Sequence, residues 1–169
     1  GVSLTGIMDN ELTNGKSGDT AKLLDELREE AVKTNKEYAN KIGIPVAAAI
    51  TCVKPSGTVS QLVDAASGIH ARHNPFYIRT VRGDKKDPLT KMMVDAGFPV
   101  EDDVMNPNHT SVFSFPMKVH KSAVFRTDMS AIEQLELWLT YQKHWCEHKP
   151  SVTISVKEHE WLEVGAWVY

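Results

Sequence analysis

The stretch Pro45 to Ser60, PVAAAITCVKPSGTVS, decides how the rest of the chain is read. Its first part, PVAAAITCV at Pro45 to Val53, is a continuous apolar run bounded by Pro and Gly signals. That is the pattern of a strand buried on both faces, in a parallel sheet covered by helices. PSGTVS at Pro55 to Ser60 is then the turn at the strand's carboxyl end, where open and barrel-shaped α/β sheets place their ligands. Gly57 lets a ligand approach the backbone, Ser56, Thr58 and Ser60 add hydroxyl donors, and Lys54 adds positive charge nearby. Such a turn entering a helix offers free backbone N–H groups to an anion. The spacing does not match the P-loop, which needs a second Gly followed by Lys and Ser or Thr, and the same residues also suit a plain capped turn.

Working outward, Gly1 to Met8 (GVSLTGIM) has the short β-prone content and small residues of a strand with close neighbours. Asp9 to Gly18 is a polar, Gly-rich loop. Asp19 or Thr20 caps a long helix whose apolar residues Leu24, Leu27, Ala31, Tyr38 and Ile42 recur near the helical period, and Gly43 ends it. With PVAAAITCV this gives strand, crossover helix and strand, a βαβ unit of right-handed connection.

Beyond PSGTVS the pattern predicts a short helix over Gln61 to Ala66, a loop over Ser67 to Pro75, and a strand over Phe76 to Arg82 whose faces are not cleanly sorted. A helix follows over Asp87 to Ala96, with Asp87 as N-cap, Pro88 at the first helical position and Gly97 as terminator. Pro99 to Thr110 reads as loop, and Ser111 to Met117 as a strand whose Pro116 belongs at an edge or exit. Ser130 and Glu133 form a capping box opening a second long helix with the stripe Ile132, Leu135, Leu139 and Trp145. Ser151 to Val156 alternates as a half-buried strand, and another helix starts at Lys157. The class is α/β, without internal repeats.

A chain of 169 residues with 41% hydrophobic residues buries one sizeable core, so a single domain is the prior expectation. Gly1 enters a strand at once and Tyr169 lies inside an apolar helical pattern, so the chain reads as a single partial domain over 1–169, truncated at both ends. A formal net charge of −3 leaves no basic footprint for nucleic acid, so any phosphate contact must be local. The two cysteines, Cys52 and Cys146, are far apart, which favours reduced thiols in the cytoplasm over a disulfide framework. No apolar run approaches a membrane span.

Several side chains invite a chemical reading. His144, Glu147 and His148 in HWCEH fit the inverted zinc-protease pattern H-x-x-E-H, with Glu158 or Glu160 as a third ligand, so a zinc-dependent hydrolase is the alternative from another class. The competing reading is solvated or capping histidines near a helix C-terminus. Cys146 points away from both histidines on that helix and reads as a structural thiol, and Cys52 as a small core residue. His70, His73, Arg79 and Arg82 are candidates for phosphate or base contacts by proximity alone. The acidic run Glu101 to Asp103 reads as a solvated loop, and Trp138, Tyr141 and Trp145 as a helix core stripe.

The longer string CVKPSGTVSQLVDAASGIHARHNPFYIRTVRG, Cys52 to Gly83, resembles the substrate-phosphate loop of ribonucleotide reductase large chains, in particular the adenosylcobalamin-dependent (class II) enzymes. The likeness continues in GVSLTGIMD at Gly1 to Asp9, DPLTKMMVDAGFPVEDDVMNP at Asp87 to Pro107 and LWLTYQKHWCEHKPSVTISV at Leu137 to Val156, in the family's order. It is nearest to the monomeric, triphosphate-using branch, including its phage members. The resemblance implies part, the carboxyl half, of a ten-stranded α/β barrel with a finger loop through its centre. It also implies reduction of a ribonucleoside triphosphate or diphosphate by a cobalamin-initiated thiyl radical, with thioredoxin as reductant. No Asn-x-Cys-x-Glu finger-loop pattern is present, so no radical or redox cysteine carries over. What carries over is the phosphate grip at Ser56, Gly57, Thr58, Val59 and Ser60.

Overall fold

All of residues 1–169 are described by the computed structural model, and they divide into two compact units, Gly1–His73 with His120–Tyr169, and Asn74–Val119. In the first unit, β1 (Val2–Ser3) and β2 (Thr51–Cys52) pair in parallel, with Val2 opposite Thr51 and Ser3 opposite Cys52. The connection is α1 (Thr20–Ile42), ended by Gly43 in the left-handed conformation. This is the strand, helix, strand order expected.

The apolar run before β2 behaves differently from its expectation. Only Ile50 to Val53 is buried, whereas Ile44 is 54% and Val46 is 46% exposed. The physical reason is a lack of neighbours: β1 is the sole strand paired with β2 and reaches only two residues along it. The other edge of β2 is occupied by an irregular segment, whose Glu147 N–H donates to the Thr51 carbonyl (3.1 Å) and Ser151 N–H to that of Val53 (3.4 Å). The stripe on α1 is likewise only partly used. Leu24 is fully buried, while Leu27, Tyr38 and Ile42 are 41%, 56% and 65% exposed.

The helix α4 (Ala131–His144) opens with the capping box foreseen: Ser130 Oγ accepts from the Glu133 N–H, and the Glu133 carboxylate accepts from the Ser130 N–H (2.6 Å). Hydrogen bonds to the carboxylate from the Ser130 N–H first, and from the Ser130 side chain, hold the Glu133 carboxyl below the usual carboxylate range. The apolar side of α4, with Leu137, Tyr141 and the following Trp145, closes a core that also contains Ile7, Met8, Leu24, Val53 and Val124. After α4, Ser151 to Val156 keeps its alternation of exposed and half-buried residues but forms no ladder. The side chain of Gln134 holds it instead, accepting from the Ser155 N–H (3.2 Å) and donating to the Ser155 carbonyl (3.4 Å). A single turn at Glu158–Glu160 then leads into α5 (Trp161–Val168). The turn after β2 carries α2 (Val59–Leu62), shorter than the Gln61 to Ala66 helix expected and displaced toward the turn.

The second unit is a three-stranded antiparallel sheet in the order β3 (Phe76–Asp84), β5 (Thr110–Lys118), β4 (Val100–Asp102). Its helix α3 (Pro88–Asp95) begins as the sequence predicts, with the Asp87 carboxylate accepting from the Leu89 N–H (2.8 Å). At Gly83 a Cβ would sit 2.4 Å from Thr90 Oγ1, so this glycine is what lets α3 lie on the strand. Val100–Asp102 was expected to be loop. The strand forms because β5 is the central strand and Val100 pairs with its buried Phe113. Pro116 is tolerated in β5 because Ser114, two residues earlier, donates toward the β4 side at Pro99, and β4 does not extend as far as Pro116. Its missing N–H therefore faces no partner strand.

Candidate anion-binding loop

Residues 53–68 leave the carboxyl end of β2, turn through PSGTVS and return at Gly68, and everything that shapes them lies in the first unit. The Ser56 carbonyl closes the turn by accepting from the Ser60 N–H (3.1 Å) and from the Ser60 hydroxyl. The Thr58 carbonyl accepts from the Gln61 N–H (3.1 Å) and that of Ser60 from the Ala65 N–H (2.9 Å). No protein carbonyl receives the N–H groups of Gly57, Thr58 and Val59, and all three residues are exposed, so these amides are open to solvent. A Cβ at Gly57 would meet nothing within 4 Å.

Of the five residues that sequence reasoning assigned to a phosphate grip, three thus present donors to solvent and two face inward. Ser60 is fully buried with its hydroxyl on Ser56. The Ser56 hydroxyl lies 2.6 Å from that of Thr5 and accepts from the Gly68 N–H (3.0 Å). The expectation that both serines supply free hydroxyls is corrected accordingly: short side chains in a tight turn bond their own neighbourhood first. Lys54, also expected nearby, is exposed and its N–H is held by Ser3 Oγ (2.9 Å).

The far end of the loop is clamped by two residues that sequence reasoning did not single out. Arg72 binds Asp9 through two bonds of 2.9 Å and donates to the Asp64 carbonyl (3.0 Å), while Asp9 also accepts from the Ala66 N–H (2.6 Å). The pair is largely buried, with side-chain exposures of 6% and 15%. Gly68, at φ +49°, completes the return; a Cβ there would lie 2.8 Å from the Lys54 carbonyl oxygen. The available signal was that Thr5, Asp9 and Arg72 lie within the two stretches GVSLTGIMD and CVKPSG to TVRG singled out above.

His70 does not turn to the loop's free amides but rests its Nδ1 2.9 Å from the Ser67 carbonyl. Arg79 and Arg82 lie on β3 of the second unit, where Arg82 pairs with Asp103 (2.9 Å). That guanidinium holds the Asp103 carboxyl below its usual range, and Asp103 is a buried anchor for the Met105 and Asn106 N–H groups, not a member of a solvated loop.

The zinc-hydrolase alternative fails on geometry. It requires His144, Glu147 and His148 on one helix, but α4 ends at His144 and Trp145 is its C-cap. Glu147 instead accepts from the N–H groups of Ile50 and Thr51, and His144 Nδ1 lies 2.9 Å from Asp25. No group of three or more His, Cys, Asp or Glu is arranged to hold a metal ion. Cys146 is likewise off the helix, buried, with its thiol pushed up to about 11 by desolvation. Cys52 is the core residue expected.

Glu147 gives the strand a pH dependence. Its backbone bonds to Ile50 and Thr51 lower its pKa from 4.5. A depressed carboxylate pKa contributes stability that is present above the unfolded value and lost as pH falls through the folded one. Stability measured from pH 6 down to pH 3 is therefore expected to fall faster for the native protein than for Glu147→Gln; parallel curves would show that these bonds contribute nothing.

No family model matches the chain. Among curated proteins, the adenosylcobalamin-dependent ribonucleoside-triphosphate reductase of Euglena gracilis is 33% identical over 63% of the chain and 14% of its own length. The enzyme of the same description from Lactobacillus leichmannii is 29% identical over 82% of the chain and 19% of itself, and that of Lactobacillus acidophilus 26% identical over 98% and 26%. A crystal structure of a B12-dependent (class II) ribonucleotide reductase superposes with a TM-score of 0.82 at 26% identity, covering 99% of this chain and 27% of that one. The chain thus spans between about one seventh and one quarter of these relatives. With sequence likeness over most of its length and a shared fold over nearly all of it, the chain is similar to a part of the adenosylcobalamin-dependent (class II) ribonucleotide reductases and has the fold of part of their barrel.

Proposed function

We propose that this chain supplies the substrate-phosphate grip of a ribonucleotide reductase, in the carboxyl half of its ten-stranded barrel. The observation that supports the reading is the row of three consecutive open amides at Gly57, Thr58 and Val59, joined by the Thr58 hydroxyl, at the carboxyl end of a parallel strand. Consecutive backbone N–H groups without protein acceptors at an exposed turn suit the oxygens of a phosphate. Ser56 and Ser60 act as the frame of the turn that carries those amides.

In the complete enzyme the reaction is reduction of a ribonucleoside triphosphate to its 2′-deoxy form, for DNA synthesis. Adenosylcobalamin, when bound, supplies the radical initiation, and thioredoxin supplies the electrons. Neither thiol of this chain fits that chemistry, since Cys146 is held as a neutral buried thiol and Cys52 is packed in the core beside β1. The radical and redox cysteines belong to other parts of the enzyme, and no residue here is assigned to the corrin. No helix of the chain is long and apolar enough to cross a membrane. By resemblance the enzyme is a cytoplasmic monomer.

Thr58→Ala in the full-length enzyme is expected to raise the KM for CTP about tenfold, the loss of one hydrogen bond to a charged group, with kcat little changed. Gly57→Ala adds a methyl that touches no protein atom within 4 Å. A raised KM in that variant, at unchanged thermal stability, reports on the ligand's approach alone. An unchanged KM in both variants contradicts the assignment, and the same series with CDP separates triphosphate from diphosphate preference.

A further inference from the structure

We infer that Thr5 is a positioning residue for the anion loop, acting through Ser56; the inference rests on the reading of that loop given above. Ser3 and Thr5 stand two apart at the end of β1, and both hydroxyls reach the segment that follows β2. Ser3 Oγ accepts from the Lys54 N–H (2.9 Å), and Thr5 Oγ1 reaches both ends of the loop. It donates to the Ala66 carbonyl (2.9 Å), accepts from the Gly68 N–H (3.1 Å) and lies 2.6 Å from Ser56 Oγ.

The protons around this point can be assigned. A threonine hydroxyl has one proton, and the Ala66 carbonyl, which can only accept, takes it. The short Thr5 to Ser56 contact must then run from the Ser56 hydroxyl to Thr5. With its proton directed at Thr5 and its oxygen accepting from Gly68, Ser56 has no freedom to rotate toward solvent. The same residue's carbonyl closes the turn on Ser60, so fixing Ser56 fixes the turn that carries the Gly57, Thr58 and Val59 amides. Thr5 is the acceptor that completes this arrangement while touching none of those three amides.

Without the Thr5 hydroxyl, Ser56 is released and the amides must be ordered by the ligand as it binds, which weakens binding without altering the reacting ribose. Thr5→Val in the full-length enzyme is expected to raise both the KM for CTP and the equilibrium Kd for CTP, measured without cobalamin, by about tenfold, with kcat within about twofold. Thr5→Ser retains the hydroxyl and is expected to restore both constants, an outcome that loss of packing alone does not give. Thr5→Ala removes the hydroxyl without adding volume and serves as the same test should the valine variant fail to fold. Normal constants in Thr5→Val or Thr5→Ala, or constants as poor in Thr5→Ser, overturn the inference. If that happens while Thr58→Ala still raises KM, only the role of Thr5 falls; if Thr58→Ala is also silent, the loop assignment falls with it.

Discussion

Trp145→Ala in the full-length enzyme is expected to destabilise the unit containing β1, β2 and α4 by about 3–5 kcal/mol, the usual cost of truncating a buried aromatic residue. The indole is 2% exposed among Val53, Tyr141 and their neighbours, so its removal leaves a cavity that a close-packed surround cannot fill. It also donates to the Cys52 carbonyl (2.7 Å), and its own carbonyl accepts from the Thr51 hydroxyl, so Trp145 joins the end of α4 to the strand that precedes the anion loop. Trp145→Phe retains most of the volume but loses the N–H, and is expected to cost about 1 kcal/mol of hydrogen bonding plus a smaller cavity. Urea unfolding read by limited proteolysis of this segment checks both. A loss below about 1 kcal/mol for Trp145→Ala shows that the core is organised elsewhere.

Arg72→Ala carries an effect of similar size by another route. It leaves the Asp9 carboxylate, 15% exposed, without its cation, and removes the donor to the Asp64 carbonyl at the far end of the loop. Breaking a buried pair on one side costs about 3–5 kcal/mol because an uncompensated charge remains. Removing both charges with Arg72→Met and Asp9→Leu together is expected to recover a large part of that loss, since the desolvation penalty goes with them. The same proteolysis readout decides the matter: a double variant no more stable than Arg72→Ala shows that the pair acts through its hydrogen bonds to residues 64–66 and not through charge. Arg72→Lys is expected to be a poor replacement, because an ammonium cannot span both Asp9 oxygens and the Asp64 carbonyl as the planar guanidinium does.

Local signals were read correctly where the chain's own neighbours decide the structure. The Ser130 capping box, the Asp87 cap with Pro88 behind it and the Gly43 terminator depend on residues within a few positions of each other, and each stands as the sequence implies. The errors lie where a distant partner decides. Pro45 to Ala49 has the composition of a buried strand, yet the only strand beside it is too short to draw it into a ladder. Val100 to Asp102 sits in a run of acidic and turn residues, and becomes a strand because β5 offers it an edge. HWCEH reads as one helical face because nothing in those five letters shows that the helix stops at His144 and that Glu147 caps a strand nearly a hundred residues away.

The site shows the same division. That the amides of Gly57, Thr58 and Val59 lack protein partners was legible because the first N–H groups of a helix have no intrahelical acceptor. The inward use of Ser56 was not, since it depends on Thr5 and Gly68, and neither was the clamp of Asp9 and Arg72, 63 positions apart. In each case the missing information was the identity of the residue across a fold contact, which period and spacing do not encode.

A structure of the full-length enzyme with CTP bound tests the central claim most directly. The account predicts phosphate oxygens within about 3 Å of the backbone nitrogens of Gly57, Thr58 and Val59, with the Ser56 to Thr5 contact intact. Phosphates bound elsewhere, with those three nitrogens still facing open solvent, contradict it.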